Sequence, residues 1–153
     1  MTLRTFTAPT GVTRDVTDTE NIYAEDMNDI GAIINNLTPE YLVRKISVLF
    51  SDDGVPVSIL TPASGYVLWG FQVEIVTPFD GSGTDLLDLG ITGAATRYET
   101  GIDVSAGAGW QTLTLANIPD RRADTTDVEA LYTDQNSDAT AGQADVYLFY
   151  SIH

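Results

Sequence analysis

Residues 66–77 read YVLWGFQVEIVT, and this stretch decides the fold that the sequence predicts. Large apolar residues recur at every second position, and smaller or polar residues stand between them. A period of two is typical of a β-strand that rests one face on a core. The pattern therefore predicts that Trp69 is buried beside Phe71. The complete core-facing set predicted for this strand is Val67, Trp69, Phe71, Val73 and Ile75.

The same period occurs on both sides of this strand. Before it, two alternating segments at 46–50 and 55–59 are separated by Asp52-Asp53-Gly54, which predicts a β-hairpin turn. After it, the sequence predicts strands at 87–91, 110–115 and 128–133 and a last strand at Gln143–Ile152. Seven or eight short strands with Gly, Pro, Asn and Asp turns predict an antiparallel β-sandwich or jelly roll over residues 42–153.

Charge and composition exclude several classes of function. The chain has 153 residues, and 22 Asp+Glu against 7 Lys+Arg give it a formal net charge of −15. Nucleic acids and anionic lipids attract clustered cations, so we expect neither a nucleic acid nor a membrane as partner. No apolar stretch approaches the ~18 residues of a membrane span.

Catalytic and metal-binding residue sets are sparse. The chain has no cysteine, and its one histidine, His153, is the last residue of the sequence. We therefore expect no enzymatic activity and no cofactor. The acidic loops at 80–85 and 134–138 offer oxygens for Ca²⁺ but lack the ligand order of an EF-hand, so a structural role in turns is favoured.

The first part of the sequence differs from the rest. Residues 1–17 are rich in threonine, carry Arg4 and Arg14, and have little apolar surface, which predicts an extended arm that lies against a partner. Leu3 and Phe6 are the apolar residues that we expect the partner to bury, with Arg4 or Arg14 paired to acidic groups.

A short helix and linker are predicted over residues 18–41. The segment 17–20 has the form of a capping box, and Thr38-Pro39 ends the helical pattern. Apolar residues then recur at spacings of three and four, as in a coiled-coil seam, although a helix packed on its own domain has the same pattern. The seam consists of Met27, Ile30, Ile34 and Leu37.

Two strands carry large apolar groups on both faces. On the last strand, Tyr147 and Phe149 lie opposite the core-facing set, and Tyr66, Leu68 and Val76 repeat this character on the strand at 66–77. A central strand covered on both sides and a subunit interface both account for the pattern, and we favour the interface.

Three stretches together resemble a family of small virion proteins of tailed bacteriophages. The first is the AEDMNDIGAIINNL segment at 24–37, which is similar to a helix near the start of phage fibre and appendage proteins. The second runs from Val67 to Gly90, and the third is TAGQADVYLFY at 140–150, similar to the closing strand of their jelly-roll domains.

The resemblance implies a trimeric β-sandwich on the virion, made in the host cytoplasm, with no catalytic residues. Because the chain is short, we rank a capsid decoration (cement) protein first and a receptor-binding tail or head fibre second. The expected partners are two further copies and the major capsid protein or another virion protein. A carbohydrate-binding module that stacks sugars on Trp69 and Trp110 is the third alternative, and it is disfavoured by the predicted burial of Trp69.

Overall fold

The computed structural model describes residues 40–63 and 65–152 in full, and residues 4–7 and 13–16 as backbone strands. The chain divides into two compact units, Met1–Pro39 and Glu40–His153. In the first unit, β1 (Arg4–Thr7) pairs antiparallel with β2 (Thr13–Val16), so that part of the predicted arm has a strand partner within the arm itself. The helix predicted within 18–41 lies outside the described residues, and the last two residues of the predicted linker, Glu40 and Tyr41, belong to the next strand.

The second unit contains nine strands. A single 3-10 turn, Phe50–Asp52, follows the first of them. The strands are β3 (Glu40–Leu49), β4 (Val57–Leu60), β5 (Tyr66–Thr77), β6 (Asp85–Ile91), β7 (Ala94–Asp103), β8 (Gly109–Trp110), β9 (Asp120–Arg121), β10 (Val128–Asp134) and β11 (Gln143–Ile152).

These strands form two antiparallel sheets, which confirms the predicted β-sandwich class. One sheet has the order β4-β10-β6-β7. The other has the order β3-β11-β5-β8, with β9 also paired to β5. Among the described residues no helix is long and apolar enough to cross a membrane.

The core lies between the two sheets and draws on both. Aromatic rings connect them: the centroids of Phe71 on β5 and Tyr98 on β7 are 5.2 Å apart, and those of Phe79 and Tyr132 are 4.4 Å apart. The largest fully buried side chains are Tyr98, Tyr132, Ile59, Leu68, Ile75, Leu87, Leu89, Leu148, Val48, Val73, Val104 and Val128.

Two predictions about the strands are wrong. The turn at 52–54 does not close a hairpin, because β3 pairs with β11 and β4 pairs with β10 in the other sheet. The segment instead carries the chain from one sheet to the other, and Phe50, the last residue of the predicted alternating segment at 46–50, is 38% exposed in the 3-10 turn. The sequence analysis did not predict β7. This strand begins with two alanines and has an interrupted register with β6, so its residues do not alternate regularly between apolar and polar.

Trp69 is the third correction. The register of β5 against β11 shifts between Phe149, which pairs with Gly70, and Tyr150, which pairs with Leu68. Trp69 is thus the extra residue of a β-bulge, and the bulge reverses the alternation locally. Leu68, predicted to point outward, is fully buried, whereas Trp69 is 41% exposed.

Candidate interaction surface

The outer face of the five-stranded sheet brings together residues that are far apart in sequence. On β3 and β11, cross-strand pairing places Val43 beside Phe149 and Lys45 beside Tyr147. Side chains at directly paired positions of antiparallel strands point to the same face. Ser151, two residues after Phe149 on β11, pairs with Tyr41. We call the six large apolar residues of this surface the aromatic face: Tyr41, Val43, Trp69, Trp110, Tyr147 and Phe149.

The exposed large apolar residues of the described unit belong to the five-stranded sheet or to the segment that follows β3. Tyr41 is 69% exposed, Val43 59% and Trp110 58%. The other exposed large hydrophobic residues belong to β3, to β5 or to the segment between β3 and β4. The strands of the four-stranded sheet contribute none. These other residues are Leu49, Phe50, Val55, Trp69 and Val76.

Trp69 is held in place at one end of the aromatic face. Its indole N–H donates a 2.9 Å hydrogen bond to the hydroxyl of Ser151, which is buried. Its ring packs against that of Tyr41 with a centroid separation of 6.1 Å and an interplanar angle of 43°. The indole is therefore pre-organised for contact, which lowers the entropy lost when a partner binds.

A second aromatic pair lies towards the other end. The rings of Trp110 on β8 and Tyr147 on β11 are 5.4 Å apart, and the ammonium group of Lys45 lies 5.5 Å from the Tyr147 ring centroid. The hydroxyl of Tyr147 donates a 3.4 Å hydrogen bond to the carboxylate of Glu74. This end thus has a large exposed indole with polar groups around it. Many protein interfaces have the same arrangement, with aromatic residues at the centre and polar residues at the rim.

The charges on this face are nearly balanced. The Lys45 ammonium is 2.6 Å from the carboxylate of Asp145, and this hydrogen bond raises the pKa of Lys45. Burial acts to raise the pKa of Asp145, but Lys45 and then Ser47 lower it overall by hydrogen bonding. The charges of Lys45 and Asp145 cancel each other. The carboxylate of Glu74, which accepts the hydrogen bond of Tyr147, adds one negative charge beside the aromatic rings.

The outer face of the four-stranded sheet is different in character. Asp88, Asp103 and Glu129 occupy outward positions on β6, β7 and β10. Asp88 accepts a hydrogen bond from the backbone N–H of Gly101, and Glu129 accepts one from the Thr92 hydroxyl. This outer face therefore carries several carboxylates, in keeping with the net charge of −15 of the chain.

The acidic loops that offered oxygens for Ca²⁺ use them for hydrogen bonds within the protein. Asp80 accepts the backbone N–H groups of Thr140 and Ala141, and these bonds lower its pKa. Asp134 accepts those of Asn136, Asp138 and Ala139. Among residues 40–63 and 65–152, no three acidic or histidine side chains are grouped to hold a metal ion.

A buried polar cluster holds the loop between β9 and β10, residues 122–127, against the fold. Arg122 is 3% exposed, and its guanidinium donates hydrogen bonds to Asp120, Asp124 and the hydroxyl of Tyr98. Burial, followed by the hydrogen bond to Asp120, raises the pKa of Tyr98 to about 12. The hydroxyl stays protonated at neutral pH and acts as a donor, so the cluster has a structural role.

The structure describes only some of the residues that the sequence singled out. Tyr147 and Phe149 lie on the aromatic face, partly buried by their neighbours. Arg4, Phe6 and Arg14 belong to β1 and β2, where the backbone alone is described, and Leu3 is outside the described residues. The seam residues Met27, Ile30, Ile34 and Leu37 are also outside them. Sequence reasoning missed Tyr41, Val43, Trp69 and Trp110 as members of the face.

No family model and no curated protein matches the chain. Two solved structures share its fold. One is a chain of the cyanophage Pam1 capsid asymmetric unit, 18% identical, with a TM-score of 0.57 over 76% of this chain and 88% of that one. The other belongs to the acid-stable capsid of the Helicobacter pylori bacteriophage KHP30, 12% identical, with a TM-score of 0.53 over 75% of this chain and 94% of that one. At these identities the likeness is one of fold: this chain has a β-sandwich of the kind found in two bacteriophage capsids.

Proposed function

We propose that this chain is a non-enzymatic structural protein of a bacteriophage virion. More specifically, it acts as a trimeric decoration (cement) protein that stabilises the head by binding between major capsid protein subunits. The observation that carries the proposal is the aromatic face, since large exposed apolar patches mark surfaces that bind other proteins. The two capsid chains of the same fold support a place in the virion.

Trimer formation uses two elements in this proposal. Tyr147 and Phe149, with the rest of the aromatic face, contact a neighbouring copy, and the seam of Met27, Ile30, Ile34 and Leu37 associates around the three-fold axis. A three-fold ring needs two different surfaces on each copy, because the aromatic face of one copy meets another surface of the next. The exposed apolar side chains supply on the order of 500 Å² per copy, a substantial part of the ~800 Å² of a standard interface.

Attachment to the capsid uses the N-terminal arm. Leu3 and Phe6 are buried on the capsid surface, and Arg4 or Arg14 pairs with acidic groups there. Three arms on one trimer act together, so that a weak contact per arm still holds the trimer firmly.

Deletion of residues 1–17 tests the proposal. The full chain, the deleted chain and an Arg4→Gln/Arg14→Gln variant are compared for binding to capsids that lack the protein, and their mass is measured by sedimentation. We expect a trimer in all three cases, tight binding of the full chain and strongly weakened binding of the deleted chain. A monomer at high concentration, or full-strength binding without the arm, contradicts the corresponding part of the proposal.

Binding of the full and the deleted chain to host cells distinguishes a decoration protein from a receptor-binding fibre. A decoration protein has no affinity for host cells, whereas a fibre binds cells with or without residues 1–17. Labelled protein incubated with host cells gives the answer directly.

One observation favours carbohydrate binding as a second candidate function. Trp69 and Trp110 both lie exposed on the aromatic face, so the burial that disfavoured Trp69 as a sugar-stacking group does not occur. Each indole is tilted by about the same angle, 43° and 42°, against its tyrosine neighbour, which gives an uneven surface better suited to a protein than to a flat glycan. Retention of the chain on a polysaccharide column, lost in Trp110→Ala, would favour the carbohydrate.

A further inference from the structure

The five-stranded sheet ends at β3, and the outer edge of this strand pairs with no strand that the structure describes. β3 is ten residues long, and its pairing with β11 runs from Glu40 to Leu49 without a register shift. Only Val48 of the ten residues is buried. About half of its backbone N–H and C=O groups point away from β11, because these groups alternate in direction along an antiparallel strand.

The other edges of the two sheets are protected. The outer edge of β7 is covered by the following loop, where the N–H of Ala116 donates to the carbonyl of Tyr98 at 2.7 Å and the side-chain amide of Asn117 donates to the carbonyl of Arg97 at 2.7 Å. β4 has four residues, and β8 and β9 have two residues each. Short strands and covering loops are usual means of preventing strand addition, and among the described residues β3 has neither.

We propose that β3 accepts an extended, acidic segment of the capsid lattice protein as an additional strand. This inference rests on the proposed function and names a second attachment that is independent of the arm. In such an addition, main-chain hydrogen bonds supply affinity and alternate side chains supply fit. Outward side chains of the added strand lie beside Tyr41 and Val43, so the new strand also extends the aromatic face.

Charge selects the occupant. Arg44 and Lys45 stand next to each other in the middle of β3, and β3 thus holds two of the chain's seven cations. Arg44 is exposed and makes no ion pair with another described residue. A second copy paired through β3 is distinguished by hydrogen exchange, because such pairing would protect the outward β3 amides in the free chain as well. A strand with an acidic residue opposite Arg44 is favoured, because the charge of Lys45 is already neutralised by Asp145.

Hydrogen exchange of the full chain, free and bound to capsids that lack it, tests the strand addition. On binding, we expect the exchange rate of the β3 amides that point away from β11 to fall by a factor of up to about ten, as for newly formed hydrogen bonds. The β3 amides that bond to β11 are the internal reference and stay unchanged. If the chain binds the capsids and β3 exchange is unaltered, strand addition is wrong and the proposed function stands. If the chain does not bind them, both are overturned.

Charge variants provide a second, independent measurement. Arg44→Gln and Arg44→Glu are compared with Arg121→Glu, which changes the net charge by as much as Arg44→Glu does, at an exposed position of β9. We expect capsid affinity to fall in the order wild type, Arg44→Gln, Arg44→Glu, with Arg121→Glu close to wild type. Equal losses in Arg44→Glu and Arg121→Glu would show a general effect of charge and contradict a specific role for the β3 edge.

Discussion

The indole N–H of Trp69 donates a 2.9 Å hydrogen bond to the buried hydroxyl of Ser151 across two neighbouring strands. The bond is possible because the bulge in β5 moves Trp69 to the outer face of the sheet. A residue that the sequence assigns to the core thus becomes a fixed, exposed anchor. Bulges are often found where a strand must redirect a side chain for function.

The first prediction concerns this anchor. We expect Trp69→Ala to lower the free energy of unfolding by about 1–2 kcal/mol, because it removes one hydrogen bond and a partly exposed ring. Self-association should weaken far more, since tryptophan is enriched among the few residues that carry most of the binding energy of an interface. Urea denaturation measures the first effect, and sedimentation across a range of concentrations measures the second.

Phe71→Ala is the matched control for Trp69→Ala. Phe71 lies two residues further along β5 and is 4% exposed in the core. Its truncation should cost about 3–5 kcal/mol of folding stability. If Trp69→Ala destabilises the fold as much as Phe71→Ala and leaves association unchanged, Trp69 is a structural residue and not an anchor.

The second prediction concerns a hydrogen bond in the core. The hydroxyl of Tyr132 donates to the carboxylate of Asp85 at 2.6 Å, and both side chains are fully buried. Tyr132→Phe leaves that carboxylate oxygen without its donor, so we expect a loss of about 1–3 kcal/mol in unfolding free energy. Tyr150→Phe is the control, because its hydroxyl forms no hydrogen bond with another described residue. Equal stabilities of the two variants in urea would contradict the importance of the bond.

The third prediction concerns Gly142, which begins the approach to β11. Its φ of 151° is one that side chains rarely adopt, and a Cβ there would overlap the ring of Phe79. We expect Gly142→Ala to cost about 3 kcal/mol through overpacking and backbone strain. Gly107 has a φ of 125° but open space around it, so Gly107→Ala isolates the backbone contribution and should cost about 1 kcal/mol. Thermal unfolding of both variants measures the difference, and a Gly107→Ala loss as large as that of Gly142→Ala would argue against the clash.

Sequence patterns predicted the bounds of β5 and β11 as the structure has them, because both strands alternate strongly and end at turn residues. The bulge at Trp69 escaped prediction since Leu68 and Trp69 are both apolar, and either one fits the core-facing pattern. Tyr147 and Phe149 were found as outward residues of a single strand. Tyr41 and Trp110 were not, because their place on the same face depends on strand order, which joins β3, β11, β5 and β8 across most of the chain.

The fourth prediction concerns acid stability and Asp134. The backbone N–H of Ala139, and after it those of Asn136 and Asp138, lower the pKa of Asp134 from its ordinary value of 3.8. A carboxyl whose pKa is lower in the folded state stabilises the protein above its unfolded pKa, and this stabilisation is lost as the pH falls through the folded pKa. Asp80, whose pKa is lowered in the same way, acts in the same direction. Asp134→Asn should therefore be less stable than the wild type at pH 7, and the difference should shrink between about pH 5 and pH 2.

Urea midpoints measured across this pH range test the expectation, with Asp127→Asn as the control variant. Asp127 accepts one 3.3 Å hydrogen bond from the hydroxyl of Ser58, whereas Asp134 accepts three backbone N–H groups. We expect the acid dependence of Asp127→Asn to follow the wild type and that of Asp134→Asn to be flatter. A constant gap between Asp134→Asn and the wild type down to pH 2 would mean that the carboxylate charge contributes nothing, and that the loop is held by the geometry of its hydrogen bonds alone.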